Sequence, residues 1–427
     1  MRGDSFARFA LAHGPNIPER CAPLLDWANR RLAEGTWSFC RVQEARTGTD
    51  GIYRGWNGQR YHGLNFAAQD YLGLAQDPRV IDAARGAIDA FGLHGAGSEV
   101  NGGTTPPADE LARRLAEWLG QTHCIIFPTG WAAGYAAIRG LVRKPDHVVI
   151  DRLAHNCLRE GALASGASIT AFDHNNVTSL RQELERIRLL DDKAAILVVV
   201  ESLYSMDSDG PDLKEIVAAA RDHAAYILLD CAHDLGIFGR AGTGLADEAG
   251  VLDEIDFIVG SFSKVLATTG GFMASRWRQC TLSVQAFGQS NTFSNQLGPI
   301  QAATALRTLE IVASQEGERL RVQVLATAEH FRTLLEQEGA TCIGRPSALI
   351  PVLTGSEKVG REITRRLAED GILVNFIEYP AVALGASRLR LQISPQHGAL
   401  DLNSVAKRIG AELRSHRPVS EHSLTMA

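Results

Sequence analysis

Six short apolar runs, "CIIFP", "HVVID", "SITAF", "ILVVV", "YILLD" and "DFIVG", alternate with helical stretches between residues 124 and 260. Runs this short and this uniformly apolar are strands buried on both faces. Strands separated by helices pair in parallel, because each connection has to cross a face of the sheet. The alternation predicts an α/β architecture, a mostly parallel sheet in a large domain with helices on both sides. Upstream, "VIDAARGAIDAFG" and "DELARRLAEWLG" read as amphipathic helices, each stopped by a glycine, and "TTPPADEL" sets a proline at a helix start. Residues 1–62 read as an N-terminal segment with a helix over "APLLDWANRRLAEG" and a hairpin at "GWNGQRYHGLNF". The large domain then covers 63–297. From 298 a long helical stretch, "GPIQAATALRTLEIVAS", leads into "SALIPVLTG", "GILVNFIEYP" and "SRLRLQIS". These predict a smaller α+β C-terminal domain over 298–427, ending in a frayed tail, "HRPVSEHSLTMA".

Composition narrows the class. The 427 residues suffice for two domains with substantial cores, and 45% hydrophobic with 22% charged residues is ordinary for a globular chain. A net charge of −6 leaves no basic footprint for nucleic acid. "AAILVVV" is far too short to span a bilayer, so no integral membrane segment is expected. The N-terminus has no apolar h-region of a secretory signal. Seven dispersed cysteines without CxxC spacing point to buried thiols in a reducing, cytoplasmic setting. "GAGSEVNGG" breaks G-x-G-x-x-G spacing at Val100 and follows no strand, and the histidines lack HExxH spacing, so neither a dinucleotide nor a zinc is expected.

Ligands of open α/β sheets bind beyond the carboxyl ends of the strands. Behind five of the six runs, all but "SITAF", come Thr129-Gly130-Trp131, His155, Glu201 and Ser205, Asp230 and His233, and finally Ser261, Ser263 and Lys264. A lysine held there can form a Schiff base with an aldehyde, and pyridoxal 5'-phosphate is the aldehyde that suits the rest. Its ring nitrogen needs a buried carboxylate, for which Asp230 is placed. Its phosphate needs amides at a helix start and hydroxyls, which Thr129, Gly130, Trp131 and Ser261 offer. His155 is the candidate to stack on the ring, and His233 and Ser205 the candidates to bond its phenolic oxygen.

The motifs "QDYLGLAQDPRVIDA", "FPTGWAAGYAAI", "DRLAHNCLREGA", "ESLYSMDSDGPDL", "LLDCAHDLGIFGRAGTG", "GSFSKVLATTGGF" and "RLRLQISPQH" occur in order from about residue 60 to 410. Together the sequence resembles the α-oxoamine synthases, fold-type-I pyridoxal-phosphate enzymes. The resemblance implies decarboxylative condensation of an amino acid with an acyl thioester, on CoA or a carrier protein, to an α-amino ketone. It assigns Lys264 to the cofactor aldehyde, Asp230 to the pyridine nitrogen, His233 and Ser205 to the phenolic oxygen, and His155 to the ring face and the substrate. Arg390 matches the arginine that receives the substrate carboxylate, and Gln69 falls near the same group. The family's sites form between the subunits of a homodimer, so Thr292 or Ser294 of "QSNTFSNQLGP" would serve a neighbour's phosphate.

The chain departs from the family pattern in places. Gln69 stands for a usual asparagine, Pro106 and Ala108 for common histidines, and Leu384 for a proline. Glu99 and Glu378 stand where relatives carry arginine. Either these glutamates reverse a local charge preference for the acyl donor, or they are solvated surface residues. Lys264 and Asp230 alone do not separate condensation from transamination, aldol-type cleavage or simple decarboxylation; "RLRLQIS" and "DRLAHNCL" favour condensation. A non-catalytic partner subunit is the reading from another class, and retention of Lys264 argues against it.

Overall fold

In the computed structural model, which describes residues 4–416, each of the six runs is a strand. All but the first residue of the tail expected to fray lie outside the described residues. The chain divides into two compact units. The smaller comprises residues up to Ala68, Met206–Ser208 and residues from Val324; the larger comprises Gln69–Ser205 and Asp209–Gln323.

In the smaller unit, α1 (Ile17–Ala33) starts where the Asn16 side chain accepts from the Glu19 amide. It buries Trp27 against Phe6, Phe9 and Trp37, the Phe6 and Trp27 centroids 5.0 Å apart. β1 (Val42–Gln43), β2 (Asp50–Arg54) and β3 (Arg60–Asn65) follow, and β2 and β3 form the expected hairpin around Gly58.

The larger unit runs through α2 (Pro78–Phe91), α3 (Pro106–Trp118), β4 (His123–Phe127), α4 (Gly130–Leu141), β5 (His147–Asp151), α5 (Asn156–Ser165), β6 (Ser168–Phe172) and α6 (Val177–Leu190). It continues through β7 (Ile196–Glu201), α7 (Leu213–Asp222), β8 (Tyr226–Asp230), α8 (Leu245–Glu248), β9 (Phe257–Ser261), β10 (Gly271–Ser275), α9 (Arg278–Phe287) and α10 (Pro299–Val312). The seven strands stand in the order β4-β10-β9-β8-β7-β5-β6. Six are mutually parallel, and β10 runs antiparallel to both β9 and β4. β10 is the strand that apolar periodicity misses. It follows a glycine-rich loop, and only its pairing with two neighbours reveals it. Val148, Ile150, Val199, Leu228 and Val259 pack under α4 and α5 in one core. At roughly 1.5–3 kcal/mol per buried large aliphatic side chain, that core holds the strand ends in register.

The chain leaves the larger unit within α11 (Gln315–Gln337). β11 (Leu349–Gly355), α12 (Glu357–Glu369), β12 (Ile372–Leu373), β13 (Asn375–Ile377), β14 (Ser387–Gln392) and α13 (Leu402–Ser415) then complete the smaller unit. β12 extends the N-terminal hairpin in parallel beside β3, and β11, β14 and β13 form an antiparallel sheet.

Two expectations need correction. Cys157 and Cys231 are buried, but Cys21 and Cys40 are exposed, so the seven free thiols are not uniformly interior. Neither Glu99 nor Glu378 is a solvated surface residue. Glu99 accepts hydrogen bonds from Asn291 and, at 2.8 Å, from Gln285. Glu378 is 3% exposed and holds Arg361 through two bonds of 3.2 and 2.7 Å. Each glutamate is hydrogen-bonded inside its own unit, Glu378 by the Arg361 cation and Glu99 by two neutral amides. Among the described residues, no helix is long and apolar enough to cross a membrane.

Candidate active site

A cavity of about 290 Å³ opens at the carboxyl end of the large sheet, and its lining includes Thr129, Gly130, Trp131, His155, Asp230, His233, Ser261 and Lys264. Strand register explains the meeting. Glu201 and Asp230 are the last residues of β7 and β8 and lie directly opposite each other in the parallel ladder, so their side chains project from one face. Ser261 closes β9, three residues before Lys264.

The turn from β4 into α4 forms one wall. Thr129 caps the helix, its hydroxyl oxygen accepting from the Ala132 amide at 3.1 Å. A side chain on Gly130 would bring its Cβ within 2.6 Å of the Ser261 hydroxyl, and one on Gly271 would meet the Gly130 Cα at 2.6 Å. Two facing glycines thus let α4 start flush against β9 and β10, with its first amides open to an anion. The Ser261 and Ser263 hydroxyls lie 2.8 Å apart beside that start. The Trp131 ring stacks on Tyr135, centroids 5.3 Å apart.

The opposite wall holds the ionisable groups. Asp230 accepts from the Ala232 amide at 2.9 Å. Burial raises its pKa, against the pull of His155 and Lys264. Glu201 is raised further, first by burial and then by Asp230. Two buried carboxyls side by side resist ionising together, and a cation delivered to Asp230 would settle which one carries the charge. Burial and the Lys264 charge lower the His155 pKa, while Asp230 opposes them. His233 Nδ1 lies 3.0 Å from the Tyr71 hydroxyl. Asp70 builds the turn that presents Tyr71, its carboxylate accepting from Leu74 and Ala75 at 2.9 and 3.0 Å.

Five residues proposed from sequence do not line this cavity, among them Ser294, exposed between α9 and α10. Ser205 is buried just beyond β7. Gln69 is the first residue of the larger unit, its carbonyl accepting from the Tyr71 amide. Thr292 lies between α9 and α10, with its hydroxyl donating to the Gln285 carbonyl at 2.9 Å. Arg390, on β14, lines a separate cavity of about 390 Å³ within the smaller unit, together with Arg41, Tyr53 and Asn375. Sequence reasoning missed Cys157 and Tyr71, and gave Glu201 no role. The glutamate's place at the end of a fully apolar run was the available signal.

The family Aminotransferase class I and II matches residues 61–409. The 8-amino-7-oxononanoate synthase of Stutzerimonas stutzeri (strain A1501) is 33% identical over 335 residues, 78% of this chain and 83% of that protein. The serine palmitoyltransferase of Sphingomonas wittichii superposes with a TM-score of 0.86 at 29% identity, over 94% of this chain and 98% of that one. A serine palmitoyltransferase from S. paucimobilis with bound PLP–myriocin gives 0.87 at 29% identity, over 94% and 99%. The chain belongs to the α-oxoamine synthase family. As a member, it is a pyridoxal-phosphate-dependent acyltransferase of fold type I that forms a carbon–carbon bond. Its reaction class is the decarboxylative condensation of an amino acid with an acyl thioester. For α-oxoamine synthase chemistry, the cavity's amine, buried carboxylate, imidazoles and helix-start amides form a donor set that fits the cofactor's aldehyde, ring nitrogen and phosphate.

Proposed function

We propose that Lys264 carries the cofactor aldehyde and that the cavity around it is where the α-amino ketone is made. The observation that carries this reading is the convergence of Lys264 with Asp230 and the α4 start in one cavity. In the proposed arrangement Asp230 keeps the ring nitrogen protonated and His155 covers the ring face. His233, which of the two sequence candidates is the one lining the cavity, bonds the phenolic oxygen. Thr129, Gly130, Trp131 and Ser261 receive the phosphate, helped by Thr292 of a second copy. The bound cofactor supplies an electron sink next to the carbon that loses a proton. Lys264 Nζ takes that proton, a role suited to an amine that shares its cavity with the buried Asp230 and His233. Arg390, the residue that the family resemblance assigns to the task, receives the amino acid's carboxylate through its planar fork. His155 orients the carboxylate or the thioester carbonyl.

We further propose a homodimer working in the cytoplasm on a small amino acid. The apolar rings flanking Thr292 support the dimer, since Phe287 is 57% and Phe293 84% exposed in the single chain. Seven free cysteines support a reducing compartment.

The test is to incubate the holoenzyme with panels of amino acids and acyl thioesters, following carbon dioxide and free thiol. One pair should yield both together with an α-amino ketone, and borohydride should leave a pyridoxyl group on Lys264. Thiol release without the ketone, or a label on another lysine, refutes the proposal.

A further inference from the structure

We propose that Cys157 fixes the proton of His155 on Nε2, so that the imidazole meets the substrate as a neutral hydrogen-bond donor. This rests on the reading of His155 as the residue that orients substrate.

His155 is the residue that caps α5, and its Nδ1 accepts from the Cys157 amide at 3.3 Å. The Cys157 Sγ lies 3.0 Å from the same nitrogen. A backbone amide only donates, so the nitrogen facing it must present a lone pair. Burial, reinforced by Asp230 and Glu201, pushes the Cys157 thiol well above its ordinary pKa. The thiol therefore keeps its proton and is a second donor to Nδ1. A neutral ring whose Nδ1 accepts carries its proton on Nε2. The loop cannot swing to relieve this arrangement, because the His155 amide donates to Glu201 at 2.7 Å.

The charged groups facing the ring come from three neighbouring segments: Asp230 on β8, Glu201 on β7 and Lys264 after β9. Asp230 favours an imidazolium, while burial, the larger influence, and Lys264 oppose it. Adding a proton at Nδ1 would set it against an amide hydrogen that cannot turn away. The consequence is a division of labour. His155 donates its Nε2 hydrogen to a carboxylate or carbonyl oxygen and stabilises charge there, with no lone pair at Nε2 to remove a proton. Proton removal is left to Lys264. The histidine motif of the sequence thus acts through a cysteine two residues on, which makes Cys157 a positioning residue.

The experiment is nitrogen-15 NMR of the histidine-labelled holoenzyme, with the His155 signals assigned by their loss in His155→Asn. At pH 7 the proton should sit on Nε2 with Nδ1 bare. A proton on Nδ1, or on both nitrogens, overturns the proposal, and this reading needs no variant at position 157 to fold. In Cys157→Ala the midpoint for protonating His155 should rise by about one pH unit, the worth of one lost hydrogen bond to the neutral form. Cys157→Ser should bring it back. An unmoved midpoint in Cys157→Ala overturns the assignment to Cys157. These readouts are taken without turnover, so the catalytic reading fails separately, by an unchanged kcat/KM in His155→Asn.

Discussion

Replacing Glu378 by glutamine separates a structural role from a role in substrate choice. The Arg361 and Glu378 side chains are 2% and 1% exposed, and their closest N–O distance is 2.7 Å. Arg361 also reaches Asp4 at 3.0 Å and lies over the Trp27 ring, 5.2 Å from its centroid. Glu378→Gln leaves a desolvated guanidinium with one carboxylate fewer. Removing one partner of a buried pair costs about 3–5 kcal/mol. Because Asp4 stays and glutamine keeps a carbonyl acceptor, the lower end, about 3 kcal/mol, is expected. For a cooperative unit of roughly 150–250 residues each kcal/mol moves Tm by about 2–4 °C, so the variant should melt about 6–12 °C lower. Differential scanning fluorimetry reads the shift, and kcat/KM for several acyl thioesters, measured well below the transition, should be unchanged. The double variant Arg361→Met/Glu378→Leu should recover most of the loss, since an apolar pair removes the unmatched charge. An unshifted Tm in Glu378→Gln, accompanied by an altered thioester preference, would refute the reasoning and return Glu378 to the substrate's surroundings.

His174 lies 2.9 Å from Asp151 and 3.2 Å from Asp209, which push its pKa up to about 10 against the cost of burial. Its stabilisation is complete below the ordinary value of 6.5 and is lost as pH rises through about 10. The difference in urea midpoint between wild type and His174→Gln should therefore shrink across that window, and a constant difference would count against the cluster. In Gly130→Ala the new Cβ would fall within 2.5 Å of the Ser261 Cβ. Pyridoxal phosphate, titrated by absorbance into the apoenzyme, should bind at least about tenfold more weakly, equivalent to some 1.4 kcal/mol; equal affinity would show that this turn does not hold the phosphate.

Much of the site was legible because it hangs on local pattern. An apolar run announces a strand, and whatever follows it lands on the sheet's carboxyl edge; the expected burial on both faces fails for "SITAF", whose strand β6 stands at the sheet's edge with most of its residues exposed. Thr129, His155, Asp230, His233, Ser261 and Lys264 could thus be listed before any contact was known, and the structure sets them around one cavity. The exceptions lie where position along a strand carries no information. Arg390 is read easily as part of "RLRLQIS", but its cavity is built from the N-terminal segment and β13. The glutamates at 99 and 378 were ambiguous for a related reason. A carboxylate's meaning depends on its partner, and Asn291 and Arg361 are 192 and 17 positions away.

Residue order alone settled the alternation of strands and helices, the α/β class and the row of polar groups at strand ends, because burial on both faces and chain crossing act over a few residues at a time. Three-dimensional packing decided the rest. It turned β10 into the antiparallel strand between β9 and β4, set Tyr71 against His233 across 162 positions, and laid Glu201 beside Asp230. Hydrogen-bond partners and shared charge are properties of neighbours in space, and a linear chain does not name those neighbours until its core has closed.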